Sequence, residues 1–129
     1  MAYTFDWEVA ADSLQKIKAM LDLIIERSST VDTPNDFLCS PGGMLRLDAI
    51  CMNLIALGET VKGLDKQTNG QLLTNYPEVY WKGVMAMRDK ISHHYFEIDT
   101  DVVFRTIEED IPQMLPVVIK MLNDLDSIP

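Results

Sequence analysis

Both histidines of this chain fall in one stretch, Met87-Arg88-Asp89-Lys90-Ile91-Ser92-His93-His94-Tyr95-Phe96. An arginine placed shortly before a histidine suits phosphate chemistry. The guanidinium grips phosphate oxygens in bidentate fashion and stabilises charge that develops on them. An imidazole titrating near pH ~6.5 can take or give the proton at a ribose hydroxyl or a leaving oxygen. Together, an arginine and a histidine suffice for RNA cleavage without a metal, the substrate's own 2′-OH attacking the neighbouring phosphate. The same residues also read as a plain polar helix end, with Arg88 in an ion pair and both imidazoles in water. Spacing alone leaves both readings open.

Charge singles out the same place. Eleven Lys and Arg against 20 Asp and Glu leave a net charge of −9 over 129 residues. Such a field argues against coating DNA or an anionic membrane non-specifically. Locally, Arg88 and Lys90 against Asp89 give +1, and +3 if both imidazoles protonate. The following stretch, 97–110, holds six acids and one base, Arg105, so the positive spot is sharply bounded.

Other chemistries fail on spacing. Di-iron bundles use Glu-x-x-His on inward faces, but the residues three before His93 and His94 are Lys90 and Ile91. Two zinc-binding histidines on a helix stand at i, i+4, whereas these are adjacent. Ser92 and His93 cannot form a nucleophile–base pair, because neighbouring helical side chains do not face each other. Gly42-Gly43 alone is no phosphate loop. No metal or other cofactor is expected.

Helices must position the stretch. Leu14, Ile17, Leu21 and Ile24 step by 3, 4, 3, with Ile25 widening the stripe, which predicts a helix over 7–27. Turn-forming residues over 28–36 read as a loop, and Ser40-Pro41-Gly42-Gly43 as a second break. Leu47, Ile50, Leu54, Leu57, Val61 and Leu64 form the most regular stripe, and Gly58 inside it suggests close approach of another backbone. Asn69-Gly70 ends that element or opens the next turn. Tyr76-Pro77 would start a third helix, with Trp81, Val84, Arg88, Ile91 and Tyr95 on one stripe. Asp99 caps a fourth helix carrying Val103, Phe104 and Ile107. Pro112 either interrupts it or begins a fifth, where Leu115, Val118, Leu122 and Leu125 repeat 3-4-3. The expectation is an all-α up-and-down bundle of four main helices and a shorter one, a single domain over 1–129.

With 47% hydrophobic residues the chain can bury a core without staples. The N-terminal residues lack a secretory pattern, and no apolar run approaches the ~20 residues that cross a bilayer. Cys39 and Cys51 form no CxxC pair and are expected as reduced thiols. A cytoplasmic location follows. Geometry adds a constraint. Five residues of α-helix turn about 500°, leaving Arg88 and His93 about 140° apart, while Arg88 and Tyr95 differ by only about 20°. A site using all three needs a helix end, a bend, or a second copy meeting the first across a two-fold axis.

The pattern R-x(4)-H-x-Y, filled by Arg88, His93 and Tyr95, resembles the HEPN superfamily. More narrowly it is similar to the HepT branch, RNase toxins paired with a minimal nucleotidyltransferase (MNT) antitoxin. Ile55-Ala56-Leu57-Gly58-Glu59-Thr60 is similar to that family's I-G-E-A segment. Trp81-Lys82-Gly83-Val84-Met85-Ala86-Met87-Arg88-Asp89 resembles its W-x-x-x-x-x-M-R-[ND] helix, and Asp110-Ile111-Pro112 its D-L-P step. His94 stands where a glycine is frequent. The resemblance implies that Arg88 and His93 are the RNase residues and that Asp89 is the supporting polar residue. It also implies that Tyr95 is where the antitoxin attaches AMP. RNA, the MNT-type antitoxin and a second copy of the chain would then be its partners. The competing readings are a non-catalytic HEPN module that binds a nucleotide or a protein, and a purely structural bundle. An intact Arg/His pair favours the enzyme.

Overall fold

The computed structural model describes residues 5–91 and 97–126. Helix α1 (Trp7–Ser28) starts at Asp6, whose carboxylate accepts from the backbone N–H groups of Glu8 and Val9 at 2.9 and 3.3 Å. Its stripe of Leu14, Ile17, Leu21 and Ile24 is buried as the periodicity predicts, whereas Ile25 is exposed. Burying each such side chain contributes about 1.5–3 kcal/mol.

The loop that follows is anchored. Within it, Pro34–Phe37 form a 3₁₀ turn that drives Phe37, fully buried, into the core alongside Val31. Asp36 accepts from the N–H groups of Asp32 and Thr33 at 2.7 and 3.0 Å, which holds its carboxyl below the usual range. The Ser40 break is where α2 (Pro41–Gln67) begins, its hydroxyl accepting from Gly43 N–H at 3.0 Å. All six residues of the α2 stripe are buried. The helix ends as expected: Asn69 and Gly70 take left-handed φ of 55° and 72°, and Gly70 N–H reaches back to the Asp65 carbonyl at 2.9 Å.

The third helix differs from its prediction. Pro77 does not start it; a 3₁₀ turn (Leu73–Asn75) and an irregular stretch intervene, and α3 spans only Trp81–Met85. A turn at Ala86 separates it from α4 (Met87–Ile91). Asp99 caps α5 (Thr100–Arg105), accepting from Val102 N–H at 3.1 Å. A π-helical turn, Thr106–Asp110, leads directly into α6 (Ile111–Asp126), with Ile111 N–H bonded five residues back to Thr106. Of the two readings of Pro112, the structure takes the second: it lies in the first turn of α6. A proline ring clashes with the carbonyl four residues earlier, and the widened turn relieves this. Pro116 also sits inside α6, a feature the periodicity did not signal. The core face of α6 is Ile111, Met114, Val118, Met121 and Leu125; Leu115 and Leu122 are only partly buried.

Helix α1 packs along both α2 and α6, while α3 and α4 lie on α2. The described residues contain no strand. The protein is an all-α bundle, and no helix among the described residues is long and apolar enough to cross a membrane.

Candidate active site

The stretch leading into α3 is moored from below. Trp81 Nε1 donates to the Tyr76 carbonyl at 2.8 Å in a buried bond. The Tyr76 hydroxyl lies 2.6 Å from Asp124 Oδ2 on α6, and the Lys120 ammonium stands 5.7 Å from its ring centre. These contacts fix where α3 begins.

The turn at Ala86 sits in a notch of α2. A β-carbon on residue 58 would stand 2.6 Å from the Val84 carbonyl oxygen and 3.3 Å from Met87 Cβ. Only glycine admits the backbone so closely, which is the close approach that Gly58 suggested. The turn also changes which side chains face inward. Val84, Met87 and Ile91 are buried, and Arg88 does not share their stripe as the sequence reading had it. Arg88, Asp89 and Lys90 are exposed. Lys90 reaches Asp110 at 3.4 Å. Arg88 has no ion pair or hydrogen bond with any described residue, so its guanidinium is not spent within the described part of the bundle.

His93, His94 and Tyr95 fall in 92–96, outside the described residues. The ends that flank them are joined. Asp99 N–H donates to the Ile91 carbonyl at 3.3 Å, while its side chain caps α5. The last residue of α4 and the cap of α5 are thus held together.

Among the described residues no three His, Cys, Asp or Glu side chains gather as metal ligands do. Cys39 is exposed and Cys51 buried, and both thiols are free. Burial, with a smaller contribution from the Asp48 charge, pushes the Cys51 thiol up to about 11. Glu59 is exposed, as a surface carboxylate. The outer face of α2 carries exposed Met44, Leu45 and Met52, the last two about 70% accessible (71% and 68%).

The fold is an all-α bundle in which Arg88, on a short helix, has no partner among the described residues, and comparison with known proteins gives this bundle a family. Residues 12–121 match the model of the family described as ribonuclease HepT-like. This chain belongs to that family, within the HEPN superfamily. It is 31% identical over 103 residues to the "Probable ribonuclease HepT" of Thermococcus cleftensis, covering 80% of this chain and 86% of that one. The "Putative RNase TTE0752" of Caldanaerobacter subterraneus subsp. tengcongensis is 30% identical over 101 residues, 78% of this chain and 83% of that one. With the "Putative RNase MJ0127" of Methanocaldococcus jannaschii the identity is 30% over 79 residues, and the match spans only 62% of that protein's length. No solved structure matches significantly.

Proposed function

We propose that the chain is a metal-independent endoribonuclease, the toxin of a toxin–antitoxin pair. Arg88 binds the scissile phosphate and stabilises the charge that builds on it in the transition state. His93 acts as general acid/base, taking the proton of the attacking 2′-OH or protonating the leaving oxygen. Asp89 supports the pair as a polar neighbour. Tyr95 is the acceptor to which a nucleotidyltransferase antitoxin of the MNT type transfers AMP from ATP, the phenol oxygen displacing pyrophosphate, and this silences the enzyme. The active form is a homodimer in which two copies of the 88–95 stretch approach a two-fold axis.

The observation that carries this reading is the state of Arg88. In a chain of net charge −9, an arginine on α4 stands exposed without a described partner, immediately before the segment that holds both histidines. Membership of a ribonuclease HepT-like family supports the RNase assignment from outside the geometry. The test is RNA cleavage by purified protein in EDTA. Arg88→Ala and His93→Ala should each lose about 10²–10³ in rate while circular dichroism stays helical. Full activity in both variants would overturn the roles given to Arg88 and His93, and absence of cleavage by the wild type would leave the non-catalytic binding module.

A further inference from the structure

Beside α4, on the flank opposite Arg88, lies a groove of about 210 Å³. Its floor is apolar: Met87 from α4, and Ile111 and Met114 from α6, all buried. Tyr80, 78% exposed, lines one wall. The ring edge lies against Gly83, where a β-carbon would come within 2.7 Å of Tyr80 Cδ2. The bare backbone at 83 is thus what lets the aromatic ring stand over the groove. The rim is polar, formed by Gln113 and by the Lys90–Asp110 pair, a donor and an acceptor side by side.

We propose that this groove holds an unpaired nucleobase of the RNA substrate, stacked on Tyr80. The inference rests on the ribonuclease reading and names the form of RNA it would take: a single strand whose bases are free. An apolar slot with one aromatic wall and a hydrogen-bonding rim suits the flat face and polar edge of a base. Lys90 is already paired with Asp110, and Glu78 at the rim with Lys120 at 3.7 Å, so among the described residues the slot has no free cation and offers stacking rather than phosphate attraction. Two residues of helix turn about 200°, placing Arg88 and Lys90 on opposite flanks of α4. A strand seated in the groove must cross the exposed back of the helix, where Asp89 stands, to reach Arg88. The base in the groove therefore belongs to a neighbour of the nucleotide at the scissile phosphate. The enzyme would read that position rather than the bond it breaks, and Gln113 would do the reading.

The test uses a 2′-O-methyl oligoribonucleotide, which lacks the attacking hydroxyl and stays whole, with 5-iodouracil at successive positions. Irradiation joins iodouracil to an aromatic ring it stacks on. The expected product is a crosslink at Tyr80 from a single position of the oligonucleotide. Tyr80→Ala should weaken binding about tenfold, the loss of one stacked base, and Tyr80→Phe should keep it within twofold. Gln113→Ala should flatten the base preference next to the cleavage site on ordinary RNA. Binding unaltered by Tyr80→Ala, with crosslinks elsewhere, overturns the proposal even if the protein cleaves RNA. A Tyr80 crosslink in a protein that cleaves nothing overturns the ribonuclease reading and leaves the groove as a base site. Loss of antitoxin pairing in Tyr80→Ala, with RNA binding intact, would give the groove to the partner protein instead.

Discussion

The Val84 carbonyl oxygen lies 2.6 Å from where a β-carbon on residue 58 would stand, so α2 and the α3–α4 turn meet backbone to backbone. Everything that projects from α4 is set by that contact, because the turn at Ala86 has nowhere else to rest. Gly58→Ala forces the turn outward. It should cost about 1–3 kcal/mol, the usual penalty of overpacking. Thermal unfolding would show this as a fall in Tm of several degrees, about 3–5 °C per kcal/mol at this chain length. An unchanged Tm would mean the notch is not tight.

Arg88 should behave in the opposite way. Exposed and without a described partner, it contributes little to stability, so Arg88→Ala should leave the unfolding midpoint within about 0.5 kcal/mol of wild type. Cleavage should nevertheless collapse. Arg88→Lys should not restore it, since an ammonium cannot offer the bidentate fork. A variant that loses stability and activity together would place Arg88 in the scaffold.

The third helix shows why part of this was legible in the sequence and part was not. The stripes of α1 and α2 run in one unbroken phase, so their buried residues follow from spacing alone. Across Ala86 two phasings fit equally well. Val84, Arg88 and Ile91 make one stripe, and Val84, Met87 and Ile91 another. Only the contact with Gly58, 26 to 29 residues away in sequence, selects the second. The π turn is similar, a tertiary solution to Pro112 that leaves no periodic trace. Tyr80 is not legible in the sequence, because an exposed tyrosine carries no signal until the ring is seen against Gly83. Arg88 was found by type and spacing, whereas its exposure needed the fold.

Tyr95 offers a covalent readout. A phenol near pKa ~10 is a modest nucleophile on its own, yet a transferase with its own metal and base can use it. Co-expression with the proposed nucleotidyltransferase antitoxin should add AMP units to the intact mass of wild type, and none to Tyr95→Phe. If Tyr95→Phe is still silenced by the antitoxin, inhibition runs by binding alone.

The thiols give a pH test that involves no RNA. Cys39 is exposed, while the Cys51 thiol is pushed up to about 11 by burial and the nearby Asp48 charge. At pH 8 a thiol reagent should titrate one cysteine quickly, and the second only after denaturant. The raised value also has a sign for stability. An unfolded chain ionises Cys51 near 9 and the folded one only near 11, so stability holds below pH 9 and falls between 9 and 11. Cys51→Ser should flatten that fall.

Leu45 and Met52 lie on the outer face of α2, the helix that carries Gly58, and give the proposed second copy of the chain apolar surface to cover. Light scattering at micromolar concentration should report about twice 14.6 kDa. Met52→Glu should return the monomer mass with an unchanged helical signal. Full RNase activity in that monomer would refute a site composed across a two-fold axis.

The five residues Thr106–Asp110 spend one position more than an α-helical turn would need, and the widened turn absorbs it, so α6 keeps its phase. Removing one of them would leave about the 3.6 residues of one ordinary turn, and the chain could close as an α-helix with every later side chain near its present direction. Met114, Val118, Met121 and Leu125 would keep the core face. The cost would fall on Pro112 instead, whose ring would meet a carbonyl four residues back. Adding a residue has no such outlet, because an extra position beyond the one already absorbed would carry that face round by about 100°.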